Sequence, residues 1–108
     1  MSVLNFEKMQ EIQKELQEKY KDKWDPLTPE RGRDKLLWMI IEAGEIADVI
    51  KKCGDKMIMN DIDVRNKFIE EMCDTLMYFN DVMLCYDISP KELERIYLQK
   101  HQINMERW

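Results

Sequence analysis

The sequence predicts an all-α protein in which four helices form one bundle. The chain of 108 residues contains Gly 3 and Pro 3, too few for the turns of a β protein. Leu, Ile, Met, Glu and Lys dominate the composition, which as a whole favours helices over strands. Apolar residues also recur at helical spacing through most of the chain. This length suits one compact domain, so we expect residues 1–108 to fold together.

The first helix is predicted from a single apolar stripe with Glu, Gln and Lys on the opposite side. The stripe consists of Phe6, Met9, Ile12, Leu16 and Tyr20. The pattern stops at Trp24-Asp25-Pro26, because proline and the residue before it both disfavour a continuing helix.

The second helix is predicted to begin at Thr28-Pro29, where threonine is an N-cap and proline occupies the first helical position. We expect it to run to about Lys52, with Gly54 as its C-terminal cap. Residues 54–60 are predicted to form a loop.

Two further start signals define the last two helices. Asp61 or Asp63 can cap a third helix that continues to about Tyr86. Ser89-Pro90-Lys91-Glu92 is a capping box with proline at the first helical position, so a fourth helix is expected to begin there.

Charge and hydropathy exclude two classes of partner. The net charge is −5 and the basic residues are dispersed, which argues against binding to a nucleic acid polymer. The longest apolar run, 36–41, is far shorter than the ~18 residues of a membrane span. Glu7 and Lys8 interrupt any signal-peptide core, so we expect a soluble, cytoplasmic protein.

The second helix contains a stretch with three acidic residues and no basic residue. Residues 36–50 contain Glu42, Glu45 and Asp48 but neither Lys nor Arg. Helical spacing places Asp48 toward Lys51 and Lys52, whereas the two glutamates lie among large apolar neighbours. The stripe predicted to face the core consists of Leu36, Ile40, Ala43, Ala47 and Ile50.

The third helix repeats this anomaly, since residues 68–86 contain four acids and no base. The predicted core stripe consists of Phe68, Met72, Thr75, Phe79 and Val82, and the acidic strip beside it of Glu71, Asp74, Tyr78 and Asp81. A third side carries Met77 and Leu84. A helix that is apolar on more than one side is usually buried on more than one side, so this side predicts a subunit interface.

The acids of these two helices form two pairs at i,i+3 spacing. Glu42 with Glu45, and Glu71 with Asp74, each lie on one helix face with Cβ atoms about 5–6 Å apart. Clustered carboxylates repel and need a cation, and an all-oxygen ligand set favours Mg²⁺ or Mn²⁺. The pattern leaves a metal site and a role as interface or surface acids equally open. Glu15 and Glu18 share the spacing, but lysines flank them, so they are interpreted as solvated.

The segments IIEAGEIADVIKK and FIEEMCDTLMYFNDVM resemble the MazG-like all-α nucleoside triphosphate pyrophosphohydrolases. The pattern of that family is EExxE, a spacer and then ExxD. Glu42 and Glu45 match the second and third glutamates of the first element, and Glu71 and Asp74 match the second element. Ile41 occupies the position of the family's leading glutamate. An isoleucine cannot orient a water molecule or hydrogen-bond to a metal ligand, so this chain departs from the family there. The resemblance covers about residues 30–108.

This resemblance implies an antiparallel four-helix bundle of the all-α NTP pyrophosphatase type that assembles as a homodimer or homotetramer. It also implies Mg²⁺-dependent cleavage of a (deoxy)nucleoside triphosphate between the α and β phosphates, giving the monophosphate and pyrophosphate. The catalytic and metal-binding residues would be Glu42, Glu45, Glu71 and Asp74. The ending YLQKHQINMERW is similar to the K-x(3)-N-x(2)-R ending of small members, and the matching phosphate-binding candidates are Lys100, Asn104 and Arg107.

Four other side chains are candidates for the site, and a fifth, His101, is not. Trp38 could stack on a base, although a core position is favoured, and Tyr78 and Asn80 are candidates for the pocket wall. Asp81 could be a further ligand or contact the ribose. His101 is interpreted as solvated.

Two alternative functions remain open. The chain could be a helical interaction module without enzymatic activity, or a phosphoribosyl-ATP pyrophosphohydrolase of the same superfamily. A di-iron bundle is disfavoured because the sequence has no Glu-x-x-His element.

Overall fold

The computed structural model describes residues 3–107, and all its regular secondary structure over that range is helical, which confirms the prediction of an all-α protein. The helices are α1 (Phe6–Lys19), α2 (Pro29–Asn60), α3 (Ile62–Cys85) and α4 (Pro90–Arg107). Of the predicted domain 1–108, residues 1, 2 and 108 lie outside the described range. Within that range, no helix is long and apolar enough to cross a bilayer.

The predicted caps of the last two helices are confirmed. The Asp61 side chain accepts hydrogen bonds from the backbone N–H groups of Asp63 and Val64, at 3.0 and 3.1 Å. The Glu92 N–H donates to the Ser89 hydroxyl at 3.1 Å, and the Ser89 N–H donates to the Glu92 carboxylate at 3.2 Å. Both interactions satisfy N–H groups that a helix start would otherwise leave unpaired.

The prediction of a loop at residues 54–60 is wrong. Gly54 interrupts α2 with φ 81° and ψ 167°, but the chain then returns to helical geometry as far as Asn60. Only Asp61, in extended conformation, separates α2 from α3. The glycine was correctly identified as a break, but two helical segments meet at it because the following residues 55–60 have no proline to prevent a helix.

The α2 and α3 helices pack against each other as an antiparallel pair. A Cβ at Gly32, near the start of α2, would collide with the ring of Tyr86, which caps the end of α3. Further along the pair, Lys35 of α2 lies beside Asp81 of α3. The α1 helix packs on the C-terminal half of α3, where Phe6 meets Phe79 edge to face at 6.0 Å. The α4 helix makes only sparse contacts with the rest of the described chain and contributes no buried residue there.

The orientation of α2 differs from the prediction. The stripe that begins at Leu36 and Ile40 points outward, with 44% and 57% of those side chains exposed. The side directed toward α3 instead consists of Gly32, Lys35, Met39, Glu42, Ile46 and Val49. This side is also mostly apolar, but it includes Lys35, which pairs with Asp81 of α3, and Glu42, which lies beside Glu71 and Asp74 of α3.

The other predicted stripes are partly confirmed. In α1, Phe6, Met9, Leu16 and Tyr20 are half-buried, but the most buried side chains are those of Gln10 and Gln13. In α3, Phe68, Thr75, Phe79 and Val82 are half-buried, whereas Met72 is 49% exposed. Among the described residues, the fully buried apolar core is limited to Ile58, Met83 and Cys85.

Candidate functional site: an acidic cluster beside an aromatic cavity

Three carboxylates converge between α2 and α3. One oxygen of each of Glu42, Glu71 and Asp74 lies within 4.8 Å of the others. Opposite ligands of an octahedral Mg²⁺ lie about 4.2 Å apart, so small side-chain adjustments would bring these oxygens to a divalent ion. The donor set, the spacing and the absence of a histidine therefore fit Mg²⁺ or Mn²⁺.

The pKa of Glu42 reflects the repulsion among these carboxylates. Partial burial and then the charges of Asp74, Glu71 and Glu45 raise the pKa of the Glu42 carboxyl. Each of these effects penalises the charged form, and a bound cation would reverse the balance.

Glu45 lies outside the group of three. Its side chain is exposed and lines a shallow groove that also contains Lys67 and Glu71. Of the four predicted ligands, the structure therefore places three together and leaves the fourth on the adjacent turn of α2.

A lysine that the sequence analysis did not identify pairs with the cluster. Lys67 Nζ lies 2.8 Å from Glu71 Oε1, and this carboxylate raises the pKa of the lysine. Lys67 immediately precedes the base-free stretch 68–86 and reaches forward by one helical turn. The expectation that the acids lack a counter-charge is wrong for Glu71, and the i,i+4 spacing is the signal that could have shown it.

A cavity of about 600 Å³ adjoins the cluster, with Asp74 common to both. This volume suits a small-molecule ligand. Its aromatic lining residues are Trp24, Trp38 and Tyr78, and its charged lining residues are Lys23, Asp25, Arg31, Asp34, Lys35, Asp74 and Asp81. The cavity therefore offers aromatic ring faces and side chains of both charges beside a carboxylate cluster.

A buried polar network connects three helices at the floor of this cavity. Gln13 Nε2 of α1 donates to Asp81 Oδ1 at 2.8 Å, and Lys35 Nζ of α2 lies 3.6 Å from Asp81 Oδ2. The same ammonium group lies 5.7 Å from the centre of the Tyr78 ring. Burial raises the pKa of Asp81, although Gln13 and Lys35 oppose that effect.

The remaining predicted cavity residues have mixed outcomes. Trp38 lines the cavity and is 50% exposed, so its favoured core position is wrong. Tyr78 lines the cavity, and burial, followed by the charges of Glu42, Asp81 and Asp74, raises its pKa. Asn80 is fully buried but donates to the Leu76 carbonyl at 3.0 Å and does not line the cavity.

The predicted phosphate-binding residues of α4 are not brought to this site. Neither the cavity lining nor the acidic cluster includes Lys100, Asn104 or Arg107. The Asn104 Oδ1 atom is buried without a hydrogen-bond partner. Instead, the cavity is lined by Arg31, which pairs with Asp25 and Asp34, and by Lys35, which pairs with Asp81. Sequence reasoning missed these two because both precede the diagnostic stretch of α2.

The expectation that Glu15, Glu18 and His101 are solvated is confirmed, whereas Asp48 is half-buried. Glu18 pairs with Lys21 at 2.9 Å on an exposed face, and Asp48 pairs with Lys52 at 2.8 Å. His101 is exposed. The Glu15/Glu18 pair, which lysines flank, thus lies on an exposed face, whereas Glu42, Glu71 and Asp74 are half-buried or buried between α2 and α3.

Comparison of the chain with protein-family models, with curated proteins and with solved structures found no match in any of the three.

Proposed function

We propose that this protein is a Mg²⁺-dependent nucleoside triphosphate pyrophosphohydrolase of the MazG-like type, cleaving (deoxy)nucleoside triphosphates to the monophosphate and pyrophosphate. One observation carries the proposal: Asp74 belongs both to the acidic cluster and to the wall of the aromatic cavity. A substrate in the cavity would thus bring its phosphates beside the carboxylates.

The carboxylates of Glu42, Glu71 and Asp74 would hold the metal, with Glu45 as a fourth ligand after a change of side-chain rotamer. Bound Mg²⁺, or Mn²⁺ in its place, would neutralise phosphate charge and lower the pKa of a water molecule. Without a cation, the same carboxylates would repel a triphosphate, so metal and substrate binding should be coupled.

The cavity residues would bind the rest of the nucleotide. Trp38 and Tyr78 offer ring faces for a base, and Asp81 is an acceptor for a sugar hydroxyl. Arg31 and Lys35 would contact phosphate oxygens, because guanidinium and ammonium groups form charge-assisted hydrogen bonds with them. The α4 residues Lys100, Asn104 and Arg107 remain a second proposed phosphate-binding set. They do not line the cavity, so α4 would have to contact the substrate from outside it.

The finer architecture also belongs to this proposal. We expect the α2–α3 pair to be half of a complete bundle that forms in a cytoplasmic homodimer or homotetramer. The sparse packing of α4 and the small apolar core support assembly, because an isolated domain normally buries far more apolar area.

The proposal is tested by incubating the pure protein with a panel of canonical and modified nucleoside triphosphates, with Mg²⁺ or with EDTA. Ion-exchange chromatography separates the products. We expect monophosphate and pyrophosphate with Mg²⁺ only. Diphosphate and phosphate would contradict cleavage between the α and β phosphates.

Variants then test the site itself. Glu42→Gln and Asp74→Asn should each lose turnover while their helical circular dichroism is retained. Glu15→Gln, on the solvated i,i+3 pair of α1, is the matched control and should keep full activity. Retained activity in both site variants would refute the assignment.

The two alternatives give different results in the same assay. Phosphoribosyl-ATP would be hydrolysed in preference to nucleoside triphosphates if the chain were the related enzyme. A non-enzymatic interaction module would show neither turnover nor stabilisation by metal.

A further inference from the structure

The floor of the aromatic cavity presents two acceptor oxygens, one from Gln13 and one from Asp81. Within residues 3–107, Gln13 Oε1 accepts no hydrogen bond, while Nε2 of the same amide donates to Asp81 Oδ1 at 2.8 Å. Lys35 Nζ lies 3.6 Å from Asp81 Oδ2, which is too far for a hydrogen bond. Gln13 and Asp81 are buried, with 6% and 8% of their surface exposed, yet solvent reaches both oxygens. A ligand in the cavity can therefore donate to them.

The spacing along α3 places this floor at the level of a nucleotide's sugar. Asp74, which belongs to the acidic cluster, is followed by Tyr78 and Asp81 at i+4 and i+7, and all three line the cavity. Asp81 therefore lies ~10 Å from Asp74 along the helix axis. A metal-bound phosphate, the sugar attached to it and one hydrogen bond together span a length of this order. A nucleotide whose phosphates lie beside Asp74 would thus bring its sugar hydroxyls to the floor.

The chemistry of the floor favours sugar hydroxyls over the edge of a base. Each hydroxyl donates one hydrogen bond, and ribose carries two hydroxyls on adjacent carbons, which matches the two acceptors. The edges of bases mix acceptors with donors, so a base would bring some of its own lone pairs against the Asp81 carboxylate. The sugar 2′-deoxyribose lacks one of the two hydroxyls and would leave one buried acceptor without a donor, which weakens binding.

We propose that Gln13 and Asp81 recognise ribose by accepting hydrogen bonds from its 2′- and 3′-hydroxyls, so that the protein prefers ribonucleotides to deoxyribonucleotides. This inference rests on the proposed nucleotide site and goes beyond it, because hydrolysis of the phosphates does not itself distinguish the two sugars. It also gives a role to α1, which contributes none of the residues that carry the resemblance.

Paired substrates that differ by one hydroxyl test the proposal on the Mg²⁺-loaded protein. The pairs are ATP with 2′-deoxy-ATP, ATP with 3′-deoxy-ATP, and UTP with 2′-deoxy-UTP. We expect kcat/KM to be at least about tenfold higher for the ribonucleotide of each pair, because the deoxy form loses a hydrogen bond to a buried acceptor. Equal values for the two sugars would overturn the proposal, as would a preference that depends on the base alone.

Variants of the floor separate recognition from a structural role. Gln13→Leu and Asp81→Asn should each lower the ratio of ribonucleotide to deoxyribonucleotide turnover. Both substrates are measured on the same variant, so a loss of folded protein alone leaves this ratio unchanged. Gln10→Leu is the matched control, because Gln10 is also 6% exposed on α1 but donates to the Ile88 carbonyl at 3.0 Å and does not line the cavity. An unchanged ratio in both floor variants would refute the assignment.

A binding measurement distinguishes failure of this inference from failure of the proposed hydrolysis. Trp24 and Trp38 line the cavity, so quenching of tryptophan fluorescence by AMP and by 2′-deoxy-AMP reports affinity without turnover. If no triphosphate is hydrolysed, AMP should still bind about tenfold more tightly than 2′-deoxy-AMP. Equal affinities, or binding of neither, would then refute ribose recognition as well. Turnover without a sugar preference would refute ribose recognition alone.

Discussion

At the scale of single residues, Lys67 is the internal competitor of any metal ion at the cluster. Its ammonium group forms an ion pair with the Glu71 carboxylate, with 2.8 Å between Lys67 Nζ and Glu71 Oε1. The lysine side chain is 57% exposed, so the pair is worth at most about 1 kcal/mol. This pair is strong enough to influence metal affinity and weak enough for a divalent cation to displace it.

We therefore expect Lys67→Gln to bind Mn²⁺ about two- to five-fold more tightly than the wild type, because up to ~1 kcal/mol of competition is removed. Isothermal titration calorimetry measures this change. Lys56→Gln removes the same charge from an exposed position on α2 and should have little effect. Weaker binding by Lys67→Gln would instead show that the lysine holds Glu71 in its metal-binding position.

Asp81 makes the stability of the protein depend on pH. Because burial raises its pKa above the ordinary value of 3.8, the folded chain keeps this proton to higher pH than the unfolded chain. The stabilisation is complete below the unfolded pKa and is lost as the pH rises through the folded pKa. The free energy of unfolding should thus carry a component that falls with rising pH.

Asp81→Asn resembles the protonated side chain and should lack this component. The difference in unfolding free energy, variant minus wild type, should become more positive between pH 3 and pH 6 in urea titrations. Asp22→Asn removes the same charge from an exposed position and serves as the control. A difference that is independent of pH would mean that Gln13 and Lys35 compensate the buried charge fully.

At the scale of elements, Gly54 controls how α2 meets α3. Its φ of 81° and ψ of 167° lie in a region that is essentially restricted to glycine. Helix α2 changes direction there, which lets residues 55–60 lead directly into the one-residue connection at Asp61.

Gly54→Ala should accordingly destabilise the protein by about 1–3 kcal/mol, because alanine is strained in this conformation. Chemical denaturation monitored by circular dichroism measures the loss. Cys53→Ala, on the preceding exposed residue, should change stability by less than ~0.5 kcal/mol. A stabilised Gly54→Ala would imply that α2 can continue through this position without a break.

How well the sequence predicts these elements depends on how far apart the interacting residues lie along the chain. Helix starts depend on side chains three residues away, as at Ser89 and Glu92, and the sequence predicts them. Which side of α2 is buried depends on the side chains of α3 that it packs against. An apolar stripe such as that around Ile40 can be buried either in the core of its own chain or against a partner. Periodicity alone therefore predicted the wrong buried side for α2, although it correctly placed Glu42, Glu71 and Asp74 on facing helices.

At the scale of the whole molecule, the carboxylate cluster joins the two helices that pack most extensively. A cation held by Glu42 of α2 and by Glu71 and Asp74 of α3 would connect the helices directly. Binding to the folded chain alone would stabilise it against unfolding.

At a free Mn²⁺ concentration 100 times the dissociation constant, we expect a gain of about 2.7 kcal/mol, or roughly 10 °C in melting temperature for a chain of this size. Differential scanning fluorimetry at fixed protein concentration measures it. Glu42→Gln should abolish most of the shift, whereas Glu15→Gln should keep it. An equal shift in all three proteins would place the ion elsewhere.

The sparse contacts of α4 have a kinetic consequence. A helix that buries little against its own chain can separate and reclose without disturbing the others. Backbone amides of α4 should therefore exchange with deuterium through local opening, orders of magnitude faster than those of α3 around Asn80. In the chain before assembly, we therefore expect α4 to open first and a protease to cut near residues 86–89, where Asp87 adopts a positive φ of 54°.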